Sequence, residues 1–160
     1  MNTLNSLSRI VGQQLSLQQT KLVTAESCTG GFLAKIITDI PGCSAWFERG
    51  YIVYSEESKQ ALLAVKKETL LTFGAVSEQT VTEMALGALL NSEANISIAI
   101  TGIAGPGGAT PTKPVGLVWI AWAKKDGVLV TKEYHFQGDR ESIREQTVVA
   151  ALTVLGDLLA

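Results

Sequence analysis

The stretch at residues 24–31, Thr-Ala-Glu-Ser-Cys-Thr-Gly-Gly, combines residue types that could carry out chemistry. It places the hydroxyl of Ser27 between a predicted strand and a predicted helix, where outward-pointing N–H groups and the helix dipole favour an anion. The absence of side chains at Gly30 and Gly31 would let a ligand approach the backbone. Ser27 is therefore a candidate nucleophile, with the alternative that Ser27 or Thr29 only caps the following helix.

A serine hydroxyl needs a base to become a nucleophile, and the sequence offers two residue types that could be this base, histidine and lysine. The single histidine, His135, falls within a predicted strand, where a structural role is the alternative. A lysine can replace histidine when desolvation lowers its pKa. Lys59 and Tyr54 flank the junction of another predicted strand and helix, so both could face one pocket. An exposed helix lysine is the alternative for Lys59.

Glycine is concentrated in one part of the chain, because five of the 15 glycines fall between positions 102 and 116. Residues 101–108 read Thr-Gly-Ile-Ala-Gly-Pro-Gly-Gly and follow a predicted buried strand. Consecutive N–H groups in such a loop can form an anion site, which makes Gly102, Gly105 and Gly107 candidate ligand-binding residues. The stretch matches neither a Walker A loop nor the Gly-x-Gly-x-x-Gly fingerprint, and a mobile loop is the alternative.

Two arginines lie one helical turn apart at the start of the last predicted helix. Arg140 and Arg144 could therefore share a face and clamp a phosphate group. The alternative is solvated helix charge, paired with Glu141 or Glu145.

Composition excludes several classes of protein. Hydrophobic residues make up 46% and charged residues 18%, and the net charge is −2 with no basic run, which argues against nucleic-acid binding. No apolar stretch reaches the ~20 residues of a membrane span. Two cysteines and one histidine cannot make a Cys/His zinc site. The first residues lack a signal-peptide pattern, so we expect a soluble cytoplasmic protein with free thiols.

The hydrophobic pattern predicts helices and strands that alternate at first and end in a hairpin and a helix. The predicted helices are residues 4–15, 32–40, 56–63, 67–73, 77–90 and 141–158. The predicted strands are residues 21–25, 46–54, 96–100, 115–123 and 128–136. This order predicts one α/β domain over residues 1–160, a three-layer α/β/α sandwich with a mixed, mostly parallel sheet.

Together these motifs resemble the CinA C-terminal domain family, also called the nicotinamide-nucleotide amidase family. The similarity covers nearly the whole chain and is most specific at residues 24–31. The other matching segments are residues 45–50, 54–55 with Lys59, 74–78, 101–108, 113–116 with Trp119, and 136–140. The chain is similar to the short form of the family that stands alone.

The resemblance implies hydrolysis of nicotinamide mononucleotide to nicotinate mononucleotide and ammonia in pyridine-nucleotide recycling, with no metal and no cofactor. Ser27 would attack the carboxamide carbon, while a neutral Lys59 accepts its proton and Tyr54 relays or orients that proton. The helix start at residues 29–31 would stabilise the oxyanion, with help from Thr101. The phosphate would bind Arg140, Arg144 or the loop at residues 102–108.

One departure from the family pattern concerns the proposed base. The family usually carries Asn-Glu-Ala where this chain has Glu56, Glu57 and Ser58. A negative charge at Glu56 would raise the pKa of Lys59 and weaken it as a base. This substitution favours the alternative of a non-catalytic domain that binds or senses a pyridine nucleotide.

Two further alternatives stay open. Cys28 could replace Ser27 as the nucleophile, although a small buried core cysteine is the preferred interpretation. Trp46, Phe47 and Trp122 could belong to the core or to an interface, so the sequence also allows a homo-oligomer.

Overall fold

The computed structural model describes residues 2–160. The helices are α1 (Thr3–Leu17), α2 (Phe32–Thr38), α3 (Glu56–Leu63), α4 (Lys67–Phe73), α5 (Glu78–Leu90) and α6 (Arg140–Leu159), with a short 3₁₀ turn at Cys43–Ala45. The strands are β1 (Leu22–Glu26), β2 (Phe47–Ile52), β3 (Ile96–Gly102), β4 (Leu117–Lys124) and β5 (Leu129–His135). Every predicted element is confirmed, with ends that differ by no more than two residues.

The five strands form one sheet in the order β2-β1-β3-β4-β5. Strand β1 pairs in parallel with both β2 and β3, whereas β4 is antiparallel to β3 and β5 is antiparallel to β4. Four of the five strands therefore run in the same direction, which confirms the mixed, mostly parallel sheet. All five residues of β1 are buried, as expected for a strand with neighbours on both sides and helices on both faces.

Successive side chains of the strands point to opposite faces, and each face is covered by its own set of helices. Leu22 and Ile98 belong to a core shared with α1, α2 and α6. Val23 and Ala99 belong to a second core shared with α3, α4 and α5. The two cores on opposite faces confirm the three-layer α/β/α arrangement.

The tryptophans at 46 and 122 belong to the core. Trp122 is fully buried, and its Nε1 donates a hydrogen bond to the backbone oxygen of Ala151 in α6. Trp46 is 3% exposed, and Phe47 packs against the same core. These three aromatic side chains therefore stabilise the protein interior and provide no exposed interface.

The start of α2 differs from the expectation that Ser27 or Thr29 caps it. The N-cap residue is Gly31, which adopts a left-handed conformation at φ +99° and makes no side-chain cap. The carboxylate of Glu26 accepts hydrogen bonds from the N–H groups of Leu33, at 2.9 Å, and Ala34, at 3.1 Å. The capping alternative is therefore wrong, because a buried acid from the end of β1 already satisfies these donors.

The topology gathers the residues that follow three neighbouring strands. Because β2, β1 and β3 are parallel, their carboxyl ends lie at one edge of the sheet, where α/β folds bind ligands. The segments at residues 53–55, 27–31 and 103–116 leave the sheet at this edge. None of the helices formed by residues 2–160 is long and apolar enough to cross a membrane.

Candidate active site

A cavity of about 240 Å³ opens at this edge of the sheet. It is lined by residues that come from distant parts of the chain: Ser27, Cys28, Tyr54, Lys59, Ala75, Val76, 101–105, 107, 108 and Arg140. The cavity therefore brings together most of the residues that the sequence singled out. Larger hollows lie elsewhere, one of them between α1 and the turn before Trp46, but they contain no comparable pair of nucleophile and base.

Ser27 and Lys59 form the centre of the cavity. The Nζ atom of Lys59 lies 2.9 Å from the Oγ atom of Ser27, and both side chains are buried. Nζ also donates hydrogen bonds to the backbone oxygens of Val53, at 2.9 Å, and Tyr54, at 3.1 Å. A neutral amine has two N–H donors and one lone pair. If the two carbonyls take the donors, the lone pair is directed at the hydroxyl of Ser27.

Burial lowers the pKa of Lys59, because a charged ammonium loses its hydration in the protein interior. The nearby Cys28 and Glu56 oppose this effect and raise the pKa, but the net shift is downward. The expected influence of Glu56 is therefore present and is smaller than that of desolvation. A lysine with a lowered pKa is better suited to accept a proton near neutral pH.

Tyr54 contributes to the cavity differently from the expectation. Its backbone oxygen holds Lys59, whereas its hydroxyl accepts a hydrogen bond of 3.0 Å from Nη2 of Arg140. The phenol side chain is 59% exposed, and its hydroxyl makes no hydrogen bond to Ser27 or Lys59. Within this structure, Tyr54 thus orients the lysine through its main chain and does not connect serine and lysine through its hydroxyl.

Arg140 connects two walls of the cavity. Its Nη1 donates a hydrogen bond of 2.8 Å to the backbone oxygen of Gly105, and its Nη2 reaches Tyr54. Both acceptors are neutral, so the charge of the guanidinium has no carboxylate partner among residues 2–160. An anion at this end of the cavity would find an available positive charge.

Thr101 and the start of α2 do not present the expected oxyanion donors. The buried hydroxyl of Thr101 donates to the backbone oxygen of Ala75 at 2.7 Å, so it secures the turn that precedes α5. At the helix start, the N–H of Gly30 donates to the backbone oxygen of Ser27, and those of Thr29 and Gly31 have no acceptor within residues 2–160 but belong to residues outside the cavity lining. By contrast, the N–H of Cys28 follows the nucleophile, lines the cavity and donates to no other residue within 2–160.

The glycine-rich loop supplies two buried backbone donors. Ala104 and Gly105 line the cavity and are buried, yet their N–H groups donate to no acceptor in the described part of the chain. Unpaired buried N–H groups are rare in proteins, so these two donors favour a ligand or water at this position. No sequence signal separates Ala104 from its neighbours, so this residue could not be predicted from the sequence.

Two glycines of this loop are required by the packing of the chain, whereas the sequence predicted a role in ligand binding for them. A Cβ atom at Gly105, where φ is +79°, would lie 2.5 Å from Cγ1 of Val115. A Cβ atom at Gly102 would lie 2.7 Å from Cγ2 of Val118. Both glycines therefore allow the chain to pack against itself. Gly107 lines the cavity and has open space around its Cα.

Four of the residues expected to bind substrate lie outside the cavity lining. Gly30, Gly31 and Arg144 line a separate hollow of about 450 Å³ on the other side of the loop. Arg144 donates a hydrogen bond of 2.9 Å to the backbone oxygen of Thr29. The hydroxyl of Thr29 is fully buried and has no partner within residues 2–160. Arg144 therefore contacts the loop after Ser27 from outside the cavity lining.

The two rival groups are poorly placed for catalysis. Cys28 is 5% exposed, and burial raises the pKa of its thiol to about 12, which leaves almost no thiolate at neutral pH. His135 ends β5, the strand at the far edge of the sheet, and its exposed ring pairs with Glu133 at 2.6 Å. The histidine is therefore neither in the cavity nor buried in the core.

A metal ion is a ligand of a different kind from the substrate of a serine and lysine pair. Residues 2–160 contain no group of three or more His, Cys, Asp or Glu side chains that could hold a metal ion.

Glu26 was not identified as a functional residue from the sequence. The signal was available, because an acid that ends a buried, mainly apolar strand requires polar partners inside the protein.

Comparisons with known proteins show which family and which structures this chain is similar to. The family model described as "CinA C-terminal domain" matches residues 4–159. The chain is 50% identical to the nicotinamide-nucleotide amidohydrolase PncC of Escherichia coli K12, over 95% of this chain and 92% of that protein. It is 46% identical to the protein of the same name from Pseudomonas putida, over 95% and 94% of the two chains. The crystal structure of competence/damage inducible protein CihA from Agrobacterium tumefaciens has a TM-score of 0.98 at 42% identity, covering 100% of this chain and 98% of that one.

Proposed function

This chain belongs to the CinA C-terminal domain family and is an amidohydrolase, and we propose that it hydrolyses nicotinamide mononucleotide to nicotinate mononucleotide and ammonia. The observation that carries this proposal is the buried contact of 2.9 Å between Nζ of Lys59 and Oγ of Ser27. The names of the relatives at 50% and 46% identity supply the substrate class, a nicotinamide nucleotide. This reaction recycles a pyridine nucleotide.

The first half of the proposed reaction forms an acyl-enzyme. Neutral Lys59 takes the proton of Ser27 as Oγ attacks the carboxamide carbon. The pyridinium ring of the substrate withdraws electrons and makes this carbon more reactive. The N–H of Cys28 stabilises the oxyanion that forms, because it lies beside the nucleophile and has no other partner. The protonated lysine then gives its proton to the amide nitrogen, the C–N bond breaks, and ammonia leaves.

The second half releases the product. Water attacks the ester carbon, Lys59 accepts a proton from it, and the bond to Oγ breaks with return of that proton to Ser27. Tyr54 holds the lysine through its backbone oxygen throughout. Ser27, Lys59 and the backbone oxygen of Tyr54 therefore serve both steps, and the proposed reaction needs no histidine in the cavity.

The phosphate of the substrate is proposed to bind at the opposite end of the cavity. Arg140 brings a positive charge that no carboxylate neutralises, and Ala104 and Gly105 bring two buried N–H donors without acceptors. Together these groups offer charge and hydrogen bonds to one phosphate. Arg144 is assigned a supporting role, because it holds the backbone of Thr29 outside the cavity.

The decisive experiment is to incubate the purified protein with nicotinamide mononucleotide and measure the release of ammonia. Free nicotinamide and the dinucleotide serve as comparison substrates. We expect ammonia from the mononucleotide, with the phosphate required for efficient turnover. Tight binding of the mononucleotide without ammonia would overturn the proposal and favour a binding or sensor domain.

A further inference from the structure

Glu26 is an unusual residue for its position, because it is a fully buried acid directly before Ser27. Its two carboxylate oxygens accept hydrogen bonds from Leu33 and Ala34 in the first turn of α2. A buried carboxylate is tolerated only when such donors replace its lost hydration. Glu26 therefore connects the end of β1 firmly to the start of α2.

These hydrogen bonds fix both ends of the loop that carries Ser27. The loop comprises residues 27–31 and spans from Glu26 to the helix that the carboxylate of Glu26 holds. At the same time, the N–H of Ser27 donates to the backbone oxygen of Ile100 at 3.1 Å. The position of the serine backbone is thus determined by β3 on one side and by Glu26 on the other.

The main chain of Glu26 extends the connection to the lysine. Its backbone oxygen accepts a hydrogen bond of 2.8 Å from the N–H of Val53. The backbone oxygen of Val53 in turn accepts a hydrogen bond of 2.9 Å from Nζ of Lys59. Glu26 therefore contacts both the loop that carries Ser27 and the residue whose backbone oxygen holds Lys59.

We propose that Glu26 is a positioning residue, whose carboxylate holds the serine loop against α2 so that Oγ of Ser27 stays within reach of Nζ of Lys59. This inference rests on the proposed role of Ser27 as nucleophile. Loss of the carboxylate contact shifts the loop, and small displacements of reacting groups reduce rates strongly.

A matched control exists on the other side of the molecule. The carboxylate of Glu83 accepts hydrogen bonds from the N–H of Lys66, the N-cap residue of α4, at 2.8 Å and from the hydroxyl of Thr69 at 2.7 Å. None of these three residues lines the cavity. Glu83→Gln therefore removes the same kind of contact between an acid and a helix start, at a place remote from Ser27.

The experiment compares Glu26→Gln and Glu83→Gln with the wild-type protein by two rates and a melting temperature. The first rate is ammonia release from nicotinamide mononucleotide, resolved into kcat and KM. The second is modification of Ser27 by a fluorophosphonate, in which Oγ bonds to phosphorus, fluoride leaves, and peptide mass reports the product. We expect Glu26→Gln to lower kcat and the modification rate about tenfold or more, with KM nearly unchanged. Glu83→Gln should lower the melting temperature without slowing either rate.

Three outcomes test the positioning role of Glu26 separately from the identity of the substrate. Equal losses of rate in the two variants at equal losses of melting temperature would overturn the positioning role. Modification of Ser27 in wild type without ammonia release would overturn the substrate, while the difference in modification rate still decides the role of Glu26. If Glu26→Gln does not fold, Glu26→Asp replaces it, because it keeps the charge but shortens the reach. Wild-type rates in Glu26→Asp would then contradict the inference.

Discussion

The Nζ atom of Lys59 lies 2.9 Å from the Oγ atom of Ser27, although the two residues follow different strands and are 32 positions apart in the sequence. Neither residue has a carboxylate within hydrogen-bond distance of its side chain. The lysine is held by backbone oxygens, and its burial lowers its pKa.

Removal of the proposed nucleophile should abolish turnover. Ser27→Ala leaves no hydroxyl to form the acyl-enzyme, so we expect ammonia release to fall by about 10³-fold or more. Cys28→Ala retains the backbone N–H and should change the rate by only a few-fold. Steady-state ammonia assays of both variants provide the measurement. An inactive Cys28→Ala together with an active Ser27→Ala would reverse the assignment.

The pH dependence should respond to Glu56. Only neutral Lys59 accepts a proton, so kcat/KM should rise with pH and level off above the lysine pKa. Glu56 raises that pKa, and Glu56→Gln should therefore move the rising limb to lower pH. Glu57→Gln, in the same helical turn, is the control and should leave the limb in place. A limb that is identical in wild type and Glu56→Gln would argue against Lys59 as the base.

The two arginines should differ in their effect on substrate binding. Arg140→Ala removes the only arginine of the cavity lining within residues 2–160, so we expect KM for the mononucleotide to rise about tenfold or more. Arg144→Ala should raise it much less, because that side chain contacts Thr29 outside the cavity. Comparison of KM values for the mononucleotide tests the assignment. A larger effect at Arg144 would move the phosphate to the neighbouring hollow.

The two glycines at 105 and 107 should differ in their effect on stability. Gly105→Ala places a Cβ atom 2.5 Å from Val115 at a positive φ, so the free energy of unfolding should fall by about 1–3 kcal/mol. Gly107→Ala meets nothing within 4 Å and should change it by less than about 0.5 kcal/mol. Denaturant unfolding of both variants measures the difference. Equal destabilisation would show that the loop is not packed as described.

The two thiols should react at different rates with iodoacetamide. Cys28 is buried with a pKa raised to about 12, whereas Cys43 is partly exposed. Because the thiolate is the reactive form, we expect Cys43 to be alkylated first and ammonia release to persist. Peptide mass at successive times, with the activity of each sample, tests this order. Loss of activity in step with Cys28 labelling would restore the thiol as a rival nucleophile.

The elements of the fold could be predicted because local pattern and tertiary role agree along this chain. The apolar run at residues 96–100 becomes the buried strand β3. In the apolar pattern of the first helix, Val11 and Leu15 belong to the core, whereas Ile10 is 52% exposed. Gly74 ends α4 as expected. The alternation of helices and strands indicated a mixed, mostly parallel sheet, because helical crossovers join parallel strands, whereas the strand order β2-β1-β3-β4-β5 was not predicted.

The site was predicted less completely, because its contacts involve backbone atoms and distant residues. The sequence identified Tyr54, but only the structure shows that its carbonyl holds Lys59 while its hydroxyl meets Arg140. Thr101 lies in the cavity, yet its hydroxyl bonds Ala75, 26 positions away. Residue types predict which groups are present, whereas their hydrogen-bond partners depend on the arrangement of loops that no local pattern encodes.

The contacts of Arg140 have a consequence for the order in which the site is assembled during folding. Ser27 and Lys59 are 32 positions apart, and with Ile100, which holds the serine backbone, they need only the chain up to β3, whereas Arg140 meets Tyr54 across 86 positions. Long loops close more slowly than short ones, so the pair at the centre of the cavity can form before the end proposed to bind phosphate. A refolding chain should therefore regain reactivity of Ser27 towards a small probe before it regains affinity for a nucleotide.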